Sequence, residues 1–295
     1  KIAEGCNQAC SFCIIPKLRG VQRSRSVADC VAEARQLVER GVVEVNLIAQ
    51  DLTHYGEDIG DPDALAKLVR ALGQVDGLRW VRLLYAYPHN FSDDLIDAIA
   101  TTDNCVKYLD MPLQHASDHV LQQMKRRGGR ADIEVLLAKL RDRVPGITLR
   151  TTLLVGHPGE RASDFQELLD FVREQRFHRV GCFAWSREEG TLSARLGGLV
   201  PTAVRKSRRD QLMRVQEQIS TEIQAGYVGR ELEVLVEGVS DETDLLLQGR
   251  FAGQAPEIDG VVYINDAPPD IGRAQFRRVC ITSSGAHDLV GHVVA

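Results

Sequence analysis

Cys6, Cys10 and Cys13 stand within one short stretch, Glu4-Gly5-Cys6-Asn7-Gln8-Ala9-Cys10-Ser11-Phe12-Cys13, and constrain the chain more than any other feature. The Cys-x3-Cys-x2-Cys spacing offers three thiolates from a single loop, and thiolates are the ligands that iron–sulfur clusters and zinc prefer. A closed cluster takes four cysteines, so three local ligands leave one iron uncapped. Catalytic zinc keeps an open position in the same way. Phe12, directly before the third cysteine, is a flat apolar group on which a nucleobase can stack. The plainer readings are a zinc knuckle or three unrelated core cysteines. Against zinc, neither Cys nor His follows Cys13 at a zinc-finger spacing.

The other four cysteines, Cys30, Cys105, Cys182 and Cys280, are scattered singly. That is no disulfide framework; it suits a reducing, cytoplasmic setting with the four as small core residues. A hydrophobic share of 44% with 26% charged residues fits a globular protein, and no apolar run reaches the roughly 18 residues of a membrane helix, so no membrane partner is expected. The chain lacks an initiator Met and opens inside a strand-like Lys1-Ile2-Ala3, which marks it as an expected piece of a longer protein.

Strand-like and helix-like segments alternate through the first two thirds. Strands are expected at 1–3, 42–49, 80–87, 106–111, 147–155 and 180–185. Helices are expected from the capping box at Ser26 to Arg40, from Asp61-Pro62 to Leu72, over 92–101, from Ser117 to Arg126 and on to Arg143, and from a capping box at Ser163 to Gln175. Continuous apolar strands alternating with helices predict a parallel sheet covered by helices, either an open doubly wound sheet or an incomplete barrel. In a barrel, chemistry gathers at the carboxyl ends of the strands, which is where the cysteine loop falls. A long helix follows Pro201 to about Ala225, and its Arg205, Lys206, Arg208, Arg209 and Arg214 read as a solvated face. From Val228 short alternating strands, with Pro268-Pro269 among the separators, predict a small OB-like antiparallel β-barrel. The expected organisation is 1–200, a connecting helix over 201–227, and a barrel over 228–295.

Polar and small residues recur at the predicted strand ends. Gln50 and Asp51 follow the second strand, Gln114 and His115 the fourth, and Thr151, Thr152, Gly156 and Gly159 accompany the fifth, in Val155-Gly156-His157-Pro158-Gly159-Glu160. Each set alone is weak, but three sets beside a three-cysteine loop form a constellation. His54, His89, His119 and His178 have no partner at a suggestive spacing and read as surface residues. Lys17, Arg19, Arg23 and Arg25 read equally as a solvated loop or as contacts to a bound carboxylate.

Together the cysteine loop, Pro16-Lys17-Leu18-Arg19-Gly20 with Arg23 and Arg25, the Gln50-Asp51 strand end and the Val155–Glu160 loop resemble the methylthiotransferases of the radical S-adenosylmethionine (SAM) superfamily. The resemblance covers the whole chain, its last part resembling the TRAM domain. It implies a radical SAM partial (β/α)6 barrel followed by the TRAM-like barrel, an α/β architecture. It also implies one [4Fe–4S] cluster on Cys6, Cys10 and Cys13 whose open iron holds SAM, and reductive cleavage of SAM to a 5′-deoxyadenosyl radical. Phe12, Gln50, Asp51, Gln114, His115, Thr151, Thr152, Gly156 and Gly159 are its implied SAM-facing set. Family members carry an N-terminal domain with a second cluster, which this sequence lacks, and a reductant protein such as flavodoxin or ferredoxin is implied. His157 departs from the family, where an aromatic residue is commoner.

Two branches compete. One methylthiolates adenosine in tRNA, the other the β-carbon of an aspartate in a ribosomal small-subunit protein. Asp51, Pro112-Leu113-Gln114-His115-Ala116-Ser117 and Ala255-Pro256-Glu257-Ile258-Asp259-Gly260 resemble the second. Charge agrees. Residues 228–295 hold 5 Lys and Arg against 11 Asp and Glu, whereas the rest holds 31 against 30. Phosphate binding needs a positive surface, so an acidic barrel disfavours tRNA and favours a basic ribosomal protein. Glu231, Glu233, Glu237, Asp241, Glu242 and Asp244 are the expected contacts. The remaining alternatives are a radical SAM enzyme of other chemistry and a non-catalytic zinc- and RNA-binding module.

Overall fold

The computed structural model describes residues 1–240, 242–265 and 271–294, which leaves Asp241 and Pro268-Pro269 outside the described residues. Five parallel strands form one sheet in sequential order: β3 (Glu44–Leu47), β4 (Trp80–Leu83), β5 (Cys105–Asp110), β6 (Thr148–Val155) and β7 (Arg179–Ala184). The predicted first strand is shorter than expected. β1 (Ala3–Glu4) pairs antiparallel with β2 (Arg23–Ser24), and Ile2 N–H donates to Ile48 O at the end of β3. A sixth position is thus added to the curved sheet by one hydrogen bond.

Helices alternate with these strands and pack against the sheet. α1 (Ile15–Arg19) closes the cysteine loop, and α2 (Val27–Glu39) starts at Ser26, whose hydroxyl accepts from Asp29 N–H, one of the two bonds of the expected capping box. α3 (Ala64–Leu72) begins later than Asp61-Pro62 suggested, with Asp63 as its N-cap. α4 (Asp93–Thr101), α5 (Asp118–Gln123) and α6 (Arg130–Arg143) follow. α7 (Ala162–Gln175) opens at Arg161, whose N–H donates to Asp164 2.8 Å away, so the box lies two residues before Ser163. Leu52, Leu68, Val81, Ile96, Leu109, Leu140, Leu153 and Phe171 are fully buried between sheet and helices. The central β4 and β5 are buried nearly throughout, on both faces, which is why they read as near-continuous apolar runs.

α8 (Thr202–Ala225) crosses back along the sheet edge, and its basic run is only in part the solvated face expected: Lys206 and Arg214 are exposed, but Arg205 and Arg209 are half-buried and Arg208 is buried. Arg208 is buried and pairs with Glu160 at 2.6 Å, while Arg205 donates to the Trp185 carbonyl. Beyond α8, β8 (Glu231–Val239), β9 (Leu247–Phe251), β10 (Val262–Asn265), β11 (Phe276–Ser284) and β12 (Leu289–Val293) close into a barrel. Its pairings are antiparallel except β10 with β12, which run parallel. Val234, Val236, Val262, Ile264, Val279, Ile281 and Leu289 fill it.

The barrel sits under the amino ends of the sheet strands. Trp80, Tyr108 and Val106 share a core with its Leu235 and Ala255, and the Trp80 and Phe276 rings meet edge-on at 4.9 Å. Fully buried Arg82 donates to Glu44 at 3.0 Å and to the Ala252 carbonyl at 2.8 Å, and Arg250 bridges Glu44 and Glu237 at 2.6 and 2.8 Å. Asp259 accepts from Tyr108 Oη at 2.7 Å. Burying this many charges is tolerable because each is paired with an opposite charge or a hydrogen-bonding partner, although Arg82 Nη2 itself is buried without a hydrogen-bond partner among the described residues.

Candidate active site

The opposite, carboxyl end of the sheet carries the three thiols. Gly5 makes the turn into the loop: its φ is +86°, and a Cβ there would stand 2.1 Å from Val21 O, so only glycine fits. Ser11, between the second and third cysteines, docks on the end of α5. Its N–H donates to Met124 O at 2.9 Å and its hydroxyl to Gln123 O at 2.8 Å, which occupies helix-end carbonyls that lack intrahelical donors. His157 Nε2 also lies 3.2 Å from that hydroxyl. His157 is fully buried, with Nδ1 at 3.0 Å from Pro158 O; a carbonyl can only accept, which places the ring proton on Nδ1.

Gln50 and Asp51 hold the loop from the other side. Gln50 Oε1 accepts from Gly5 N–H at 2.8 Å, and Asp51 Oδ2 accepts from Gln8 Nε2 at 2.9 Å. The Asp51 carboxylate also accepts from Thr53 N–H (3.0 Å), Thr53 Oγ1 (2.7 Å) and His54 Nδ1 (2.7 Å). Burial works to raise the Asp51 pKa, but these donors hold it below the ordinary carboxylate value, while Asp51 holds His54 above the ordinary histidine value. His54 is therefore a buried, partnered residue and not the surface residue its spacing suggested. His178 is likewise half-buried, accepting from Leu149 N–H at 3.2 Å, with a pKa pushed down to about 4 by burial.

Two adjoining cavities, of about 200 and 400 Å3, share Cys6, Cys13, Gln50 and Tyr85 as walls. The larger falls in the range of about 300–1,000 Å3 usual for small-molecule sites. Cys10, Phe12, Gln114 and Thr152 line the smaller one with Tyr87, Pro112 and Arg126. The structure thus gathers Cys6, Cys10, Cys13, Phe12, Gln50, Gln114 and Thr152 around one space. It places the other predicted residues behind the walls. His115 is fully buried, its Nδ1 accepting from Ser117 N–H at 3.0 Å; Thr151 Oγ1 donates to Met111 O at 2.8 Å. Gly156 lies under Arg205, and Gly159 N–H donates to Gly198 O at 2.8 Å.

Tyr85, Tyr87 and Arg126 were not foreseen. Tyr85 and Gln114 both adopt left-handed backbone, at φ of 66° and 72°. Such conformations in residues other than glycine concentrate at functional sites. They are held: Tyr85 N–H donates to Asp110 Oδ2 at 3.2 Å, and Gln114 exchanges bonds with Thr152 O (2.8 Å) and Leu154 N–H (2.7 Å).

Residues 1–172 match the family model of the radical SAM superfamily and residues 228–294 that of the TRAM domain. The chain belongs to the radical SAM superfamily and carries a TRAM domain. All of it aligns at 54% identity with a ribosomal protein uS12 methylthiotransferase RimO of Anaeromyxobacter sp. (strain K), and at 51% with that of Geotalea uraniireducens (strain Rf4). It spans 62% and 65% of the length of those relatives. In fold it resembles the radical SAM methyltransferase TsrM of Kitasatospora setae, with a TM-score of 0.55 at 20% identity over 65% of this chain and 37% of that one. Coproporphyrinogen III oxidase HemN of Escherichia coli gives 0.52 at 19% identity, over 76% and 52%.

The cofactors of this superfamily are a [4Fe–4S] cluster and SAM, and the residues present fit them. All three thiols are free and half-buried on a cavity wall. Burial pushes the Cys6 thiol up to about 11 and raises Cys13, so ligation must displace protons.

Proposed function

We propose that this chain is the radical SAM and TRAM portion of a methylthiotransferase that modifies the β-carbon of an aspartate in ribosomal protein uS12. Identity of 54% along its entire length to a relative of that name carries the reading. Cys6, Cys10 and Cys13 hold the cluster; Phe12, Gln50, Gln114 and Thr152 face SAM, while Asp51, His115, Thr151, Gly156 and Gly159 support the walls. When bound, the cluster supplies the electron that splits SAM. Gln50, Asp51 and His157 hold the loop that presents the thiols, and Arg126 donates toward Cys10 Sγ.

The organisation is 1–200 for the cluster domain, 201–227 for the connecting helix and 228–295 for TRAM. A second cluster outside the present chain, a flavodoxin- or ferredoxin-like reductant and a cytoplasmic location complete the reading; no described helix is long and apolar enough to cross a membrane. The acidic barrel meets the basic ribosomal protein, and tRNA is the disfavoured partner. Anaerobic reconstitution tests it: four irons per chain and reductive SAM cleavage in the wild type, both lost in Cys6→Ala, Cys10→Ala or Cys13→Ala and both kept in Cys105→Ala. Equal loss of iron in Cys105→Ala would sink the ligand assignment. One zinc per chain and no visible absorbance would restore the binding-module reading. Mass spectrometry of uS12 and tRNA from a deletion strain decides the branch.

A further inference from the structure

We propose that Arg126 sets the reduction potential of the group held by Cys10. Arg126 Nη1 lies 3.8 Å from Cys10 Sγ and Nη2 donates to the Pro112 carbonyl. Its guanidinium lies flat against Tyr87, 3.9 Å from the ring centroid, and Tyr87 Oη accepts from Arg127 N–H at 3.2 Å. Lys125, at φ 55°, turns the chain out of α5 so that the next residue reaches back over the cysteine loop, which Ser11 has docked on the same helix end. Among the described residues no carboxylate stands within ion-pair distance of Arg126. The cation is thus held by a carbonyl and an aromatic face, neither of which neutralises it, and its Nη1 is directed at sulfur.

This arrangement has an electrochemical consequence, resting on the cluster reading above. One electron taken up by a thiolate-held cluster adds one negative charge. A fixed cation within hydrogen-bond reach of a ligating sulfur favours that more negative state. Hydrogen bonds to the sulfurs are among the features that set cluster potentials. Arg126 is a positioning residue: it orders and polarises the Cys10 corner and makes no bond to the reacting atoms.

The test is an electron-paramagnetic-resonance titration of the reconstituted chain with dithionite and mediators, comparing wild type, Arg126→Gln and Arg126→Lys at equal iron content. Arg126→Gln should shift the reduction equilibrium at least tenfold toward the oxidised form, about 59 mV more negative for a one-electron couple. Arg126→Lys keeps the charge but not the planar fork, and its midpoint should lie between the other two. An unchanged midpoint in Arg126→Gln overturns the proposal, as does a lysine variant as negative as the glutamine one. Loss of the cluster in Arg126→Gln also overturns it, because the residue would then be structural. A wild type without four irons would instead overturn the cluster reading itself.

Discussion

Gly156→Ala separates two reasons for a glycine beside a cofactor site. One is close approach of a ligand; the other is packing within the protein. Gly156 has φ +76°, and an added Cβ would stand 2.0 Å from Arg205 Cγ and 2.9 Å from Arg205 Cβ. Those atoms lie near the root of the side chain, so a rotation of its tip gives no relief and α8 must shift. Alanine in the left-handed region costs about 1–2 kcal/mol. Displacing Arg205 also removes its bond to the Trp185 carbonyl, and a hydrogen bond to a charged group contributes about 1.5–3 kcal/mol. The expected loss is therefore about 2.5–5 kcal/mol, read from urea midpoints and m-values at neutral pH. In an Arg205→Ala background, which removes Cγ and Cδ and keeps only the 2.9 Å Cβ contact, the loss should fall toward the backbone part, about 1–2 kcal/mol. Equal losses in both backgrounds would refute the packing argument. Unchanged stability with lost SAM binding would return Gly156 to the ligand.

His115 is fully buried and its pKa is pushed down to about 3 by burial, from an ordinary value of 6.5. Between those limits the unfolded chain binds the extra proton, so stability is full above pH 6.5 and falls as pH drops, by about 1.4 kcal/mol per unit. Urea midpoints at pH 7 and 5 should show this, and His115→Gln should flatten the slope. Arg82→Ala should destabilise by about 3–5 kcal/mol in thermal or urea unfolding, because it strips a partner from the buried Glu44–Arg82–Arg250 network; a change under 1 kcal/mol would mean that the network is not coupled. In the acidic hairpin Glu231, Glu233 and Glu237 already pair with Arg278, Arg79 and Arg250. On the proposed function, reversing Asp244 and Glu242, the latter accepting a bond from Tyr263 Oη, to Lys should weaken uS12 binding in a salt-dependent way, whereas reversing Glu233 and Glu237 should lower stability instead; binding isotherms at two ionic strengths and melting curves separate the outcomes.

The cysteine spacing, the order of strands and helices and the terminal barrel were legible because each rests on local pattern. What was not legible rests on contacts distant in sequence. Asp51 follows a strand as Gln50 does, yet its carboxylate turns into the chain to bond Thr53, His54 and Gln8, and only Gln50 reaches the cavity. Arg205 and Arg208 look like neighbours in a solvated run, but helical turns bring both over the Gly156–Glu160 loop. Arg126 carries no motif; its role comes from the turn at Lys125 and the docking of Ser11. One signal was available and unused: Arg82 sits inside an otherwise apolar strand, where a charge demands a buried partner.

The position of the barrel decides what its acidity can do. It packs against the amino ends of the sheet strands, while the thiols and both cavities lie at the carboxyl ends. β6 runs from Thr148, beside the barrel's Gly253, to Val155 next to the Gly156 loop. At about 3.3 Å per residue that separation is roughly 23 Å. Exposed charges are screened over about 8 Å at physiological salt, so the barrel's surface carboxylates act at the mouth only weakly. On the proposed function their effect belongs to the binding of a partner long enough to touch both ends, while Arg126, 3.8 Å from Cys10 Sγ, and Asp51, whose charge bears on Cys6, are charges close to the thiols. On that reading substitutions in the barrel surface should alter KM for the protein substrate, and substitutions at Arg126 the potential and the rate of SAM cleavage.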